Sequence, residues 1–151
     1  MINPEKIEGN GGIVGYKATL EADSGMYWQD ATVKTFAISN DPDSAGTIID
    51  VRVDTDLDEY IYPKVILQVG DTGGTITIAN NTDDVNRLTQ FEKLTANDKI
   101  IMNGELNFIN DQYYEKFCVR NFIRLRDGMN KLVIQGDVTS ITIEYSARRA
   151  M

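Results

Sequence analysis

The stretch FIRLRDGMNKLVIQGDVTSITIEYSAR, residues 122–148, contains two runs whose side chains alternate between opposite faces. In the first run, Leu132 and Ile134 share one face. In the second run, one face carries Ile141, Ile143 and Tyr145. A period of two predicts β-strands that each bury one face. Two half-buried strands are not stable alone, so the rest of the chain has to supply a facing sheet.

Two glycines divide this stretch. The pair Gly136-Asp137, followed by Val138, predicts a short reversal, so we expect the two strands to pair as a hairpin. Gly128 lies in a predicted turn further upstream, where a glycine can take a positive φ. We expect Ile134 and Ile143 to be core residues of this terminal hairpin, because each lies on the apolar face of its strand.

The rest of the chain repeats the alternating pattern over short segments. The pair Asn103-Gly104 separates two such runs and predicts a hairpin with a type I′ turn, whose two central residues both need positive φ. We find no sustained helical period over ten or so residues. The predicted strands upstream of residue 122 cover residues 13–22, 31–39, 47–54, 60–69, 75–78, 99–102 and 105–109.

These patterns predict an all-β protein. About ten short strands separated by Gly, Asn and Asp turns are typical of an antiparallel β-sandwich or jelly roll. The chain has 151 residues, 42% of them hydrophobic, which suits one domain with a real core. We expect a flexible lead-in over residues 1–12 and a single sandwich domain over residues 13–151. No apolar run approaches the ~18 residues that span a bilayer, and residues 1–12 contain no signal-peptide core.

The sequence offers little catalytic chemistry. It contains no histidine, which excludes the usual Ser-His-Asp and Cys-His systems and most zinc sites. We therefore predict that the protein is not an enzyme and has no catalytic residue, cofactor or metal. The net charge of −8, from 15 basic and 23 acidic residues, argues against a nucleic-acid partner. Cys118 is the only cysteine, so it forms no internal disulfide, and we expect it to be a small buried side chain.

The densest acidic motif is Asp54-Thr55-Asp56-Leu57-Asp58-Glu59. Alternating aspartates are typical of calcium-binding loops, but an EF-hand needs Gly at its sixth position and Glu at its twelfth. Here these positions hold Glu59 and Val65. The motif is therefore not an EF-hand. We favour a solvated acidic loop, and a looser calcium site at a rim of the sandwich stays open as the alternative.

A few aromatic residues are candidate contacts for a ligand or partner: Trp28, Tyr113 and Tyr114. Trp28 is the only tryptophan, and it is interpreted either as an anchor in the core or at a strand edge, or as a platform on which a sugar ring stacks. Tyr60 and Tyr62 are two residues apart and share one face of a predicted strand, which favours packing in the core or against a neighbouring strand.

Charge is unevenly distributed along the chain. Residues 1–110 contain 8 basic and 18 acidic residues, a net charge of −10. Residues 111–151 contain 7 basic and 5 acidic residues, a net charge of +2. This asymmetry is interpreted either as a complementary contact between subunits or neighbours, or as a chance fluctuation of the surface.

Several of these segments together resemble the C-terminal part of the distal tail proteins of long-tailed siphophages. That family has a pattern of the form L-x-x-G-x-N-x-I-x-I-x-G, then I-x-I-x-Y, which resembles residues 125–136 and 141–145 here, with Arg148 trailing. The segment 16–24, followed by Tyr27-Trp28, is similar to the family's strand leading from its ring domain, although Ala22 and Gly25 depart from it. Tyr62-Pro63 and residues 74–80 also fit. The resemblance covers about residues 13–149.

The resemblance implies a galectin-like β-sandwich on the outside of the phage tail tip. In the family, a separate N-terminal domain forms a hexameric ring, and we expect that domain to be absent from this chain. The implied function is structural, in the virion tail: the protein joins the tail tube to the host-recognition apparatus. Its expected partners are other phage tail proteins, with a host-surface saccharide as a further candidate, and neither nucleic acid nor a membrane.

The alternative function is a carbohydrate-binding module of jelly-roll type. The scarcity of regularly spaced Trp or Tyr platforms favours the structural interpretation. Because the ring is made by another domain in the family, we expect the isolated chain, made in the bacterial host cytoplasm, to be a monomer or weak dimer.

Overall fold

The computed structural model describes residues 2–9, 12–20, 26–39, 45–110 and 113–150. Within these ranges the chain forms no α-helix, and hence none that could cross a membrane. Its strands, in chain order, are β1 (Ile2–Gly9), β2 (Gly12–Leu20), β3 (Met26–Trp28), β4 (Thr32–Ala37), β5 (Thr47–Val53), β6 (Lys64–Val69), β7 (Gly74–Asn80), β8 (Leu88–Leu94), β9 (Lys99–Asn103), β10 (Phe108–Ile109), β11 (Phe117–Arg120), β12 (Gly128–Gln135), β13 (Val138–Tyr145) and β14 (Arg148–Ala150).

Ten of the described strands form two five-stranded antiparallel sheets. Sheet I has the order β10-β9-β6-β13-β4, and sheet II has the order β11-β8-β7-β12-β5. The described part also contains two smaller pairs, β1 with β2 and β14 with β3. The architecture confirms the predicted all-β antiparallel sandwich.

The core lies between the inner faces of the two sheets. Ile134 of β12 and Ile143 of β13 are both buried, which confirms the predicted faces of these strands. Phe91 and Phe117 stack in sheet II with ring centroids 4.8 Å apart. Alternation follows from the pleat: each buried side chain on a strand is flanked by residues that point outward. The largest fully buried side chains include Leu67, Ile76, Ile78, Ile100, Met102, Leu125, Leu132 and Ile141.

The predicted hairpin of β12 and β13 is wrong. β12 pairs with β5 and β7 in sheet II, whereas β13 pairs with β4 and β6 in sheet I. The reversal at Gly136-Asp137 carries the chain from one sheet to the other. Gly136 has a φ of 105°, and a Cβ there would meet the backbone oxygen of Thr75. The carboxylate of Asp137 accepts hydrogen bonds from the backbone N–H groups of Thr72 (2.6 Å) and Gly73 (2.9 Å), which fixes this crossing to the loop before β7.

The predicted hairpin at Asn103-Gly104 is confirmed, but its turn type is wrong. β9 and β10 pair with Phe108 opposite Asn103, so the loop holds four residues instead of two. The residue with positive φ is Asn107, at 50°. Gly104 is needed for a different reason, because a Cβ on it would lie 3.0 Å from the Cβ of Tyr62.

The N-terminal segment also differs from the prediction. Residues 2–9, expected to belong to a flexible lead-in, form β1 and pair antiparallel with β2, with Ile2 opposite Leu20. β2 agrees within two residues with the strand predicted for residues 13–22. Residues 21–25, where the chain departs from the family pattern, lie outside the described residues.

Candidate functional site

The side chain of Asn130 is the centre of a buried polar network beneath the turn before β12. Its amide nitrogen donates to the backbone oxygens of Arg126 (2.8 Å) and Val51 (3.3 Å). Its amide oxygen accepts from the backbone N–H of Arg126 and from Nδ2 of Asn80, both at 2.9 Å. Gly128, two residues earlier, has a φ of 89°. Gly128 and Asn130, the G-x-N of the family pattern, therefore stabilise the fold. The glycine allows the turn, and the asparagine hydrogen-bonds to two neighbouring strands.

Asn80 extends this network to Arg124. Its Nδ2 also donates to the backbone oxygen of Arg124, at 2.9 Å. The guanidinium of Arg124 binds the carboxylate of Asp83 in a bidentate manner, with distances of 2.6 Å and 3.2 Å. Hydrogen bonding to Asp83, opposed by burial, raises the pKa of Arg124 above its usual range. Arg124 is thus held by Asn80 at its backbone oxygen and by Asp83 at its guanidinium.

Tyr145 links the two sheets. Its hydroxyl donates to the backbone oxygen of Arg52, at 2.6 Å, so the last residue of β13 in sheet I is joined to β5 in sheet II. Burial raises the pKa of Tyr145, and a hydrogen bond with Thr32 acts in the opposite direction. The tyrosine that ends the I-x-I-x-Y pattern therefore joins the two sheets, and we call this hydrogen bond the clamp between the sheets.

An exposed groove of about 370 Å³ opens at the end of sheet I, where β6 begins and β9 and β13 end. Three of its aromatic side chains are exposed: Trp28 by 59%, Tyr60 by 43% and Tyr62 by 38%. The polar or charged side chains that line it are Glu59, Lys64, Asn103, Glu105, Glu144, Ser146 and Arg148. We call this concavity the aromatic groove.

Trp28 is held in the aromatic groove by a neighbouring strand. Arg148 of β14 lies opposite Trp28 in the strand pair, and its guanidinium carbon lies 5.0 Å from the indole centroid. Glu59 binds the same guanidinium through both carboxylate oxygens, with Nε to Oε1 at 2.9 Å. A bidentate carboxylate fixes the plane of an arginine, so the indole rests against an oriented cation.

Tyr60 is held in a similar way from outside the groove. The guanidinium carbon of Arg124 lies 3.8 Å from the ring centroid of Tyr60. Arg124 itself does not line the groove. Between Tyr60 and Tyr62, Ile61 forms an isolated bridge with Leu125 and is buried. The prediction that both tyrosines pack in the core or against a strand is wrong, because Ile61 occupies the inner side and turns its neighbours outward.

The other predicted contact residues lie elsewhere. Tyr114 is 50% exposed and carries Arg120 over its ring at 4.5 Å, but it does not line the aromatic groove. Tyr113 is only 4% exposed and is part of the core, so its ring is not offered to a ligand. Trp28 is exposed and lies on the short strand β3, so the idea that it is a core anchor is wrong.

The acidic loop of residues 54–59 is paired within the chain. Besides the Glu59–Arg148 pair, Asp54 forms an ion pair with Arg149, and Asp56 accepts a hydrogen bond from the backbone N–H of Ala150 at 3.1 Å. Among the described residues, no group of three or more His, Cys, Asp or Glu side chains is placed to hold a metal ion. The two arginines of β14 thus offset two of the loop's four carboxylates.

The cysteine prediction is also wrong. Cys118 is exposed, because Phe117 takes the inner side of β11 and the next side chain points outward. Partial desolvation and the nearby carboxylate of Glu92 raise the pKa of the Cys118 thiol. A raised pKa leaves less thiolate at neutral pH, so this exposed thiol is a weak nucleophile.

A second exposed surface crosses sheet II on its outer side. A row of apolar side chains runs over four neighbouring strands, each opposite the next: Ile48, Val133, Ala79 and Leu88. Ile48, at the free edge of the sheet, is exposed, whereas the other three are half-buried. The row therefore exposes one apolar side chain and is not a large apolar patch.

The geometry described so far is that of a β-sandwich domain with buried polar anchors and one exposed aromatic groove. The sequence model of the phage tail C-terminal domain family matches residues 28–145, and the chain belongs to that family. It is a phage tail domain, and its place is the virion tail. The match begins at Trp28 and ends at Tyr145, so it spans both five-stranded sheets.

Among solved structures, the chain is similar to the SPP1 Dit (gp 19.1) protein, described as a paradigm of the hub adsorption apparatus in phages that infect Gram-positive bacteria. The TM-score is 0.62 and the sequence identity is 13%. The match covers 97% of this chain and 58% of that protein. At this identity the likeness shows a shared fold. No curated protein matches the chain.

Proposed function

We propose that the chain is the outer domain of a distal tail protein, located at the tail tip, where it helps to join the tail tube to the host-recognition apparatus. The observation that carries this proposal is the match to the phage tail C-terminal domain family over residues 28–145. The fold shared with the Dit protein of SPP1, a hub component of an adsorption apparatus, supports the position at the tip. Its partners are accordingly other tail proteins.

The role is structural and non-enzymatic. Family membership supports this. Turnover of any glycoside, peptide or ester in a broad panel, abolished by a single Asp or Glu substitution, would contradict this.

Immunogold labelling tests the location. Antibodies raised against the purified chain are applied to intact virions, with antibodies against the major tube protein as the control. We expect gold particles at the tail tip for the first and along the tube for the second. Gold along the tube or on the capsid with the first antibody would overturn the tip assignment, whereas the family membership would stand.

The isolated chain is a monomer or weak dimer. A head-to-tail ring needs two different complementary patches. Several charges that could provide such patches are already paired within the chain: Arg124 with Asp83, Glu59 with Arg148 and Asp54 with Arg149. An exposed ion pair contributes only about 0–1 kcal/mol, far from the ~8 kcal/mol of micromolar association.

Size exclusion with light scattering at micromolar concentration measures this directly. We expect a mass near 16.9 kDa, or a shallow shift towards twice that value with rising concentration. A stable species near six times 16.9 kDa would show that this chain carries a ring interface of its own.

A further inference from the structure

We propose that the aromatic groove binds an uncharged saccharide of the host surface, with sugar rings stacked on Trp28 and Tyr60. The groove combines exposed aromatic side chains, arginines held against two of them and hydrogen-bonding side chains around them. This inference does not depend on the tail-tip position of the domain. Either can fail while the other stands.

The first argument is the exposure of the aromatic side chains. Trp28, Tyr60 and Tyr62 come from two separate segments, yet all three line one concavity. Aromatic side chains lose favourable burial when they are left in water, so a group of them around a groove indicates a contact surface. The C–H faces of a pyranose ring are flat and apolar, and they match an indole or phenol ring.

The second argument is preorganisation. The indole of Trp28 rests against Arg148, which Glu59 binds with both carboxylate oxygens. Each supporting arginine is itself held, since Arg124 behind Tyr60 is bound to Asp83 in the same bidentate manner. Rings that are fixed before binding lose little rotamer entropy when a ligand docks, and this lowers the cost of binding.

The third argument is the polar lining. Glu105 and Glu144 offer carboxylate oxygens that accept hydrogen bonds from sugar hydroxyls, and Asn103 offers its amide N–H donors, since its oxygen accepts from the backbone N–H of Leu106. Hydrogen bonds to an ionised carboxylate are stronger than those between neutral groups. A saccharide carries many hydroxyl donors, so this lining suits it better than it suits an apolar peptide.

Charge then selects among saccharides. The described lining contains three carboxylates, Glu59, Glu105 and Glu144, against two cations, Lys64 and Arg148, for a net charge of −1. The chain as a whole carries a net charge of −8, which includes these groove residues. Both disfavour a polyanion such as a poly(glycerol phosphate) chain. The volume of about 370 Å³ falls within the range of small-ligand sites and has room for one or two sugar rings.

Tryptophan fluorescence tests the proposal, because Trp28 is the only tryptophan and lies in the groove. The purified chain is titrated with uncharged trisaccharides built from hexoses, 6-deoxyhexoses and N-acetylhexosamines, each to about 10 mM. Poly(glycerol phosphate) is titrated in parallel. We expect at least one uncharged trisaccharide to change the emission saturably and to protect Trp28 from acrylamide quenching, and we expect poly(glycerol phosphate) to do neither.

Three variants locate the binding. Tyr60→Ala should lower the affinity for the sugar that binds the parent chain about tenfold or more. Glu105→Ala, on the exposed loop after β9, should do the same. Tyr114→Ala is the matched control: it removes another exposed tyrosine under an arginine, outside the groove, and should leave the affinity unchanged. Circular dichroism of every variant checks that it folds. If Tyr60→Ala does not fold, the affinity of Glu105→Ala alone decides whether the sugar binds in the groove.

Several results would overturn the proposal. One is the absence of any response to the uncharged panel. Another is equal affinity in the groove variants and in Tyr114→Ala, which would place the sugar elsewhere. A response to poly(glycerol phosphate) alone would contradict the charge argument. Protection of Trp28 in assembled tails without any sugar response would identify a tail protein as the occupant. Antibody labelling at the tail tip is independent of all these outcomes.

Discussion

The Asn130 network and the aromatic groove are built in opposite ways, although Arg124 connects them. Around Asn130, short polar side chains are buried and satisfy each other through several hydrogen bonds. Around the groove, large rings face the solvent. Arg124 lies between the two, since its backbone oxygen accepts from Asn80 and its guanidinium covers Tyr60. The buried polar side chains thus hold the fold together, whereas the exposed rings form a surface that a ligand can contact.

The largest effect is expected in the core on which both regions rest. Ile143→Asp places a charge without a partner between the sheets and should reduce the free energy of unfolding by about 3–5 kcal/mol. Ile134→Asp should act similarly. Thr142→Asp, next to Ile143 but on the outer face, is the control and should change stability by less than about 1 kcal/mol. Urea denaturation measures all three. A thermal melt is the second check. An Ile143→Asp variant whose melting temperature lies within a degree or two of that of the parent would contradict the assigned face.

The next largest effect is expected within the network. Asn130→Ala removes hydrogen bonds to Arg126, Val51 and Asn80 and leaves buried groups unsatisfied, which should cost about 2–4 kcal/mol. Met129→Ala, its exposed neighbour, should stay within about 0.5 kcal/mol. Denaturation curves followed by Trp28 emission give both values. If the two variants are equally stable, the motif does not anchor the fold and the contrast with the groove disappears.

A smaller effect is expected at the clamp between the sheets. Tyr145→Phe removes only the hydroxyl that donates to the backbone oxygen of Arg52 and should cost about 1–1.5 kcal/mol. Tyr114→Phe removes a hydroxyl whose hydrogen bond with Arg120 is exposed to solvent and is the matched control, with little expected change in stability. Equal stability losses in these two variants would show that an exposed hydroxyl matters to folding as much as the clamp does.

The periodic strands could be predicted from the sequence because burial imposes the alternation directly. β5, β12 and β13 follow the expected faces, and Ile134 and Ile143 are buried as predicted. Their pairing could not be predicted, because a short reversal at Gly136 looks the same whether the next strand joins the same sheet or the opposite one. β8 was missed since Thr89, a buried polar side chain whose hydroxyl donates to the backbone oxygen of Asn121, interrupts the apolar pattern.

The groove could be predicted only in part. From the sequence, Trp28 is a candidate contact, whereas the spacing of Tyr60 and Tyr62 favours strand packing, because nothing local shows that Ile61 turns inward at an isolated bridge. The groove is assembled from separate segments, and Arg124 and Arg148 are far in sequence from the rings they contact, Tyr60 and Trp28. Sequence periodicity reports the environment of one strand, so it does not reveal a site that forms where several strands end.

The smallest effect is expected at Asp98, in the loop before β9. Its carboxylate accepts hydrogen bonds from the backbone N–H and hydroxyl of Thr95, at 2.9 Å and 2.8 Å, and lies 3.3 Å from Nζ of Lys116. Burial raises the pKa of Asp98, but these bonds, with a further one from Tyr113, outweigh it and hold the pKa below its usual range. The ion pair with Lys116 joins this loop to the segment before β11 in sheet II.

A folded-state pKa below the unfolded value means that the ionised carboxylate stabilises the fold at neutral pH. This contribution is fully present above the unfolded pKa of about 3.9 and is lost as the pH falls through the lower folded pKa. Asp98→Asn should therefore be less stable than the parent at pH 7, by up to about 1 kcal/mol, and the difference should shrink as the pH falls from 5 towards 2. Asp71→Asn removes the same charge from another exposed loop position and is the control for net charge. Urea denaturation across this pH range measures the gap, and a gap that stays constant with pH would show that Asp98 does not contribute through its ionised form.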